Sequence, residues 1–229
     1  MKALVMSTAA LLLSGAAAAA PANWEGRYMG VQASHAEGKS QDRSNANASE
    51  KSPRGFTGGV QAGRTWQFDS NVVTGIEGSL AIGSIDRDWK DREHHPHSPY
   101  YGKDAVTRSG SVNLMLGYAV GPVLPYLTTG VTVARQEYTL GCDTSLVEKT
   151  NGCRVAEFET GARHVSTGVN VGAGVLVRFN ERLSAGVEYR YTNLGSSPVQ
   201  LHDPNYPDAA RRSFHTDYSS VTLKMNYHF

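Results

Sequence analysis

From Val165 to Leu194 the chain alternates apolar and small or polar positions with a period of two, in two runs separated by a short polar turn. In the first run Val165, Thr167, Val169, Val171, Ala173, Val175 and Val177 share one parity. Ser166, Gly168, Asn170, Gly172, Gly174 and Arg178 hold the other, and Leu176 breaks the pattern. After Asn180-Glu181, Leu183, Ala185, Val187, Tyr189 and Tyr191 alternate with Ser184, Gly186, Glu188, Arg190 and Thr192. Successive side chains of a strand point to opposite faces, so the stretch predicts an antiparallel hairpin. Each run exceeds the roughly 5–6 residues of an ordinary globular strand. Each suits the roughly 9–11 residues of a tilted membrane-spanning strand, apolar toward lipid and polar toward the lumen.

The same periodicity recurs along the chain. A first span carries Met29, Val31 and Ala33 against Gly30, Gln32 and Ser34. A second runs from Phe56 to Phe68, with Arg64 on the apolar parity near the lower rim, where its guanidinium can snorkel to headgroups. A third sets Ile76, Leu80 and Ile82 against Glu77, Ser79 and Gly83, and a fourth sets Val112, Leu114, Leu116 and Tyr118 against Ser111, Asn113 and Gly117. Leu127, Val131 and Val133 mark a fifth, the hairpin supplies two more, and Val221, Leu223, Met225, Tyr227 and Phe229 alternate against Thr222, Lys224, Asn226 and His228 in the last. The predicted fold is therefore all-β: an eight-stranded antiparallel transmembrane β-barrel, residues 23–229. The connections alternate in length. Ala36–Arg54, Asp86–Arg108, Arg135–Arg163 and Gly195–Phe214 are expected as long loops, whereas Asp69–Asn71, Gly121-Pro122 and Asn180-Glu181 are short. Short periplasmic turns and long extracellular loops are the outer-membrane pattern.

Composition supports a barrel over a helical membrane protein. The 229 residues include 24 glycines and 11 tyrosines, mean hydropathy is -0.37, and beyond residue 22 no apolar run approaches the roughly 20 residues a helix needs to cross. A formal charge of +1 gives no sign of a nucleic-acid partner. At the start, Lys2, the apolar run Ala3–Leu13 and the small-residue tract Ser14–Ala20 predict a secretory signal peptide, residues 1–22, cut after Ala22 with Ala19 and Ala20 as alternatives. Export implies an oxidising compartment, and Cys142 and Cys153 are then expected to form one local disulfide.

Several motifs accumulate: Trp24-Glu25-Gly26, Gly58-Gly59-Val60-Gln61-Ala62-Gly63 with Trp66, Gly75-Ile76-Glu77-Gly78, Leu116-Gly117-Tyr118-Ala119, Gly186-Val187-Glu188-Tyr189-Arg190-Tyr191 and the terminal Asn226-Tyr227-His228-Phe229. On these the chain resembles the eight-stranded outer-membrane barrels of OmpA and OmpX type, most of all the porin-like surface antigens that end without a periplasmic domain. The resemblance implies placement in the outer membrane of a Gram-negative cell, among its lipids and lipopolysaccharide. It also implies that Tyr227 and Phe229 belong to the C-terminal signal read by the barrel assembly machinery. Asn113 and Met115 depart from the family by standing where lumenal arginines are usual, and Leu176 by standing where an acid is common.

An eight-stranded barrel is just wide enough for its interior side chains to fill it. Glu77, Glu188 and Lys224 fall at similar depth, with Gly172, Gly174 and Gly186 leaving room for them. Buried charges must pair, so Glu77, Glu188, Arg190 and Lys224 are expected to form a lumenal ion-pair network, joined by Arg178 from lower down, acting as a gate or as structure. The expected role is an envelope surface protein with at most weak porin-like conduction. One alternative is a haem- or metal-binding receptor, since His94, His95 and His97 put three imidazoles within four positions. Another is a host-cell adhesin acting through the loops. No resident cofactor is expected, and no enzyme. His215 with Ser219 or Ser220 is the sole faint nucleophile–base pairing, and no orienting third residue accompanies it.

Overall fold

The computed structural model describes residues 23–42, 54–90, 99–146, 153, 157–200 and 211–229. The expected leader, residues 1–22, and the tract His94, His95, His97 lie outside them. The chain builds β1 (Gly26–Asp42), β2 (Arg54–Gln67), β3 (Val72–Lys90), β4 (Tyr100–Tyr118), β5 (Val123–Cys142), β6 (Phe158–Arg178), β7 (Leu183–Gln200) and β8 (Arg211–His228). Each strand pairs antiparallel with the next, and β8 returns to pair with β1, closing the barrel. Among the described residues no helix is long and apolar enough to cross a membrane.

The parity of the side chains is inside-out relative to a water-soluble barrel. Val131, Val133, Leu223 and Met225 are exposed on the outer wall, while their chain neighbours Thr132, Thr222 and Lys224 are buried in the lumen. An exterior of that kind is stable only against lipid. Closure leaves no free edge in the lower part of the barrel, where each strand is paired on both sides, while above Val169 the β6 backbone pairs with β5 alone.

The strands are longer than the periodicity predicts, from 14 residues in β2 to 21 in β6. The long loops expected from Ala36, Asp86, Arg135 and Gly195 are therefore corrected: their first and last portions are strand. Above the lipid, water solvates the outer face, so polar residues stand on both parities and the hydrophobic signal disappears. The backbone ladder continues regardless. Lys103 of β4 pairs there with Asp86 of β3 at 2.9 Å, and Arg135 with Glu137 on β5 at 3.3 Å. A bulge between Val106 and Arg108 also shifts the parity of β4 and turns Val106 inward.

At the other end the turns are tight. Phe68 donates to the Val72 carbonyl at 2.9 Å, with Asn71 in the left-handed region at φ 63°. Gly121, at φ 56°, serves the turn between β4 and β5 where a side chain would strain the backbone.

Candidate functional site

The lumen is stratified along the barrel axis. Its lowest layer is apolar: Trp24, Val73, Met115, Ala119, Leu124 and Leu176 pack together with the ring of Tyr126. Trp24 precedes β1 and folds up into the mouth, its amide donating to Gln67 Oε1 at 2.7 Å and its indole to the Gly121 carbonyl at 3.4 Å. Leu176, the one residue that broke the alternation of its strand, belongs to this layer.

Directly above sits a knot of four charged side chains. Lys224 of β8 donates to Glu77 Oε1 and Oε2 of β3 at 2.6 and 2.9 Å, and to Glu188 Oε2 of β7 at 3.1 Å. Arg190 brings Nη2 to 2.6 Å from Glu188 Oε1 and to 4.0 Å from Glu77 Oε1, and donates from Nη1 to Ser111 Oγ at 3.3 Å. Two acids face two bases, so the formal charge cancels. Exposures of 1% for Glu188, 4% for Lys224 and 6% for Glu77 leave water little part in the balance. Charges so buried hold only while each finds its counterpart.

Two tyrosines complete the knot. Tyr28 donates its hydroxyl to Glu77 Oε2 at 2.8 Å, and Tyr126 donates to Glu188 Oε2 at the same distance. The two halves repeat one arrangement across the axis: Tyr28 stands opposite Gly63, which stands opposite Glu77, and Tyr126 stands opposite Gly174, which stands opposite Glu188. The glycines are required by the rings, for a Cβ at Gly63 or Gly174 would lie 2.6 Å from the tyrosine side chain. The bases break the symmetry. Lys224 stands opposite Gly186 on one side, and the corresponding pair on the other is Gly75 with Met115, so both bases come from the β7–β8 half.

Above the knot lies a narrow hydroxyl-lined space of about 50 Å³ flanked by Ser79, Ser111, Thr132, Thr192, Ser220 and Thr222. Ser79 and Ser111 share a hydrogen bond at 2.8 Å, and Asn170 donates to Thr132 at 2.9 Å. A second apolar layer of Ala36, Ile85, Val106, Ala134, Leu194 and Tyr218 caps it.

Of the five residues expected in the network, the fold brings together Glu77, Glu188, Arg190 and Lys224 and keeps Arg178 apart. At the last position of β6, Arg178 lies at the mouth, its guanidinium carbon 4.9 Å from the centroid of the Trp24 ring and its Nη1 donating to the Asn23 carbonyl. The apolar layer stands between it and the knot. Arg64 points outward with its guanidinium 5.2 Å from the centroid of the Trp66 ring.

A model of the family described as "Outer membrane protein beta-barrel domain" matches residues 6–229. The chain belongs to that family. It is an outer-membrane β-barrel, and its relatives bear this out: it is 29% identical over 224 residues to the 31 kDa outer-membrane immunogenic protein of Brucella melitensis, covering 90% of this chain and 84% of the relative. It is 28% identical over 207 residues to a 22 kDa outer membrane protein of Rhizobium leguminosarum, covering 90% and 79%. Among solved structures, the outer membrane protein OprG of Pseudomonas aeruginosa aligns at a TM-score of 0.49 with 11% identity, covering 91% of this chain and 98% of that one.

At the surface end of this outer-membrane barrel, Cys142, the last residue of β5, is joined to Cys153 across 11 positions with a Cα–Cα distance of 6.0 Å. Two carboxylates organise the same rim. Asp143 Oδ1 accepts from the Ser145 amide at 2.8 Å and from its hydroxyl at 2.6 Å, which holds the Asp143 carboxyl below its ordinary range. Tyr101 donates to Glu159 Oε2 at 2.7 Å, and that bond, with some burial, pushes the phenol up to about 12. At the opposite end Tyr227 and Phe229 stand exposed with their rings edge-on, centroids 5.2 Å apart. Ser219 receives the Tyr189 hydroxyl at 2.8 Å on the outer wall, while its neighbour Ser220 is buried in the lumen.

Trp24, Tyr28 and Tyr126 carry weight that the sequence reading did not give them. The signal for the tyrosines was present in the two Gly-x-Glu motifs, Gly75-Ile76-Glu77 and Gly186-Val187-Glu188, each preceded one strand earlier by an inward glycine and two strands earlier by an inward tyrosine.

Proposed function

We propose that this protein is a non-conducting envelope barrel, a stiff membrane-anchored body that carries its strand extensions and disulfide-joined rim at the cell surface. The observation that supports this best is the meeting of Glu77, Glu188, Arg190 and Lys224 on the axis between two apolar layers. A solute crossing the lumen would have to part ion pairs at low dielectric and pass two dry constrictions. Weak porin-like conduction would require these layers to part. On the same reading the knot is structural, and Tyr227 and Phe229 serve as the C-terminal assembly signal, exposed where machinery can meet them before β8 closes on β1.

Single-channel recording of the refolded protein in planar bilayers tests this. No stepwise conductance is expected from the wild type or from Glu188→Gln. Reproducible unit steps in the wild type would overturn the reading.

A further inference from the structure

The outer wall above the apolar belt holds an arrangement that a strand ladder by itself disfavours. Arg108 of β4 and Arg135 of β5 stand directly opposite each other in the register. Both occupy outward positions, as Ile82 opposite Arg108 and Val133 two residues before Arg135 do. Like charges opposed across an antiparallel pair destabilise it. Arg163 of β6 adds a third guanidinium. Among the described residues a single carboxylate, Glu137, serves the group, 3.3 Å from Arg135 Nε and 3.7 Å from Arg163 Nε. Three positive charges share one negative charge.

The height of this cluster says what is missing. On β5 Arg135 follows the exposed Val131 and Val133, and on β4 Arg108 lies just above the exposed Val112 and Leu114. The guanidiniums therefore sit at the upper edge of the lipid-facing belt, level with the exposed Ile82 and Val165 on the neighbouring strands, where acyl chains give way to the outer-leaflet headgroups. Planar guanidinium forks bind phosphate bidentately and tolerate partial desolvation better than lysine. Beneath them the exposed side chains of Leu80, Val112, Val131 and Val133 make the lipid-facing wall apolar.

We propose that Arg108, Arg135 and Arg163 hold the phosphates of the lipid A portion of lipopolysaccharide, whose acyl chains lie against the apolar wall below. A bisphosphorylated, multiply acylated glycolipid meets both halves of the surface at once. Its phosphates supply the further negative charge that three guanidiniums with the one carboxylate of Glu137 lack, and its chains cover the aliphatic side chains beneath. This goes beyond the sealed-barrel reading and does not depend on it.

The lower edge of the belt provides a control. Arg27 and Arg64 are also opposed, across β1 and β2, and both are exposed. That pair faces the phospholipid leaflet. Binding is measured by native mass spectrometry of the folded barrel with three probes: bisphosphoryl lipid A, lipid A stripped of its phosphates, and phosphatidylglycerol. The wild type is expected to prefer bisphosphoryl lipid A. R108A/R135A is expected to lose roughly thirtyfold in affinity for it, while R27A/R64A keeps wild-type affinity. R108Q/R135Q, which retains polar bulk, is expected to lose as R108A/R135A does, and the heat-modifiable band on gels reports folding of each variant. Equal affinity of wild type and the folded Arg108/Arg135 variants would overturn the proposal. So would wild-type binding that is indifferent to the phosphates, or binding of phosphatidylglycerol as tight as that of lipid A.

Discussion

Lys224→Met is expected to cost this barrel about 3–5 kcal/mol of unfolding free energy, the scale of breaking a buried ion pair by removing one partner. The ammonium donates three bonds, to Glu77 and to Glu188, at 2.6 to 3.1 Å. Methionine fills much of the same volume and supplies none of them. Two carboxylates would then face one guanidinium in a site closed to water, and Glu77, whose Arg190 contact is 4.0 Å, would be the poorer served. The double variant Lys224→Met with Glu77→Gln restores the charge balance and is expected to recover most of the loss. Reversible urea unfolding in lipid vesicles, followed by tryptophan emission, measures both. A loss below about 1 kcal/mol for Lys224→Met, the range of an exposed pair, would show that water reaches the knot.

Trp24→Ala should be comparably damaging for a different reason. The indole is 1% exposed, and truncating a buried Trp typically costs about 3–5 kcal/mol. It would leave a void among Val73, Leu124 and Leu176 and strip Arg178 of the ring beneath its guanidinium. The barrel is nevertheless expected to remain non-conducting, because the knot above is untouched. Urea unfolding gives the first quantity and bilayer recording the second. A variant as stable as the wild type would mean that Trp24 merely rests at the mouth.

The middle of every strand was legible in the sequence because lipid imposes a strict rule on one face: Val131, Val133, Leu223 and Met225 alternate with residues that could not face acyl chains. The acids and bases of the lumen were legible for the same reason, Glu77, Glu188, Arg190 and Lys224 all falling on the parity opposite the belt. Three features escaped. Strand ends above the lipid lost the period once both faces met water. Arg178 has the right parity for the network but the wrong height, and depth along the axis depends on turn geometry and on Trp24 filling the mouth between them. Tyr28 and Tyr126 are aromatic residues near the ends of their strands, where a ring usually belongs to the interfacial girdle. Parity opposite to that of Met29 and Leu127 turns both rings inward, and the register, which sets each against a glycine and that glycine against a glutamate, gives them their role.

The claim on which the rest depends is that the lumen is shut on both sides of the hydroxyl-lined space. Thr132→Cys, nearly isosteric and placed between the knot and the upper apolar layer, tests it directly, with Lys103→Cys at the surface rim as the reactive control. In proteoliposomes treated on both faces with a charged, membrane-impermeant thiol reagent, Lys103→Cys is expected to be modified fully and Thr132→Cys to remain unmodified. Rapid modification of Thr132→Cys in the folded barrel would contradict the account.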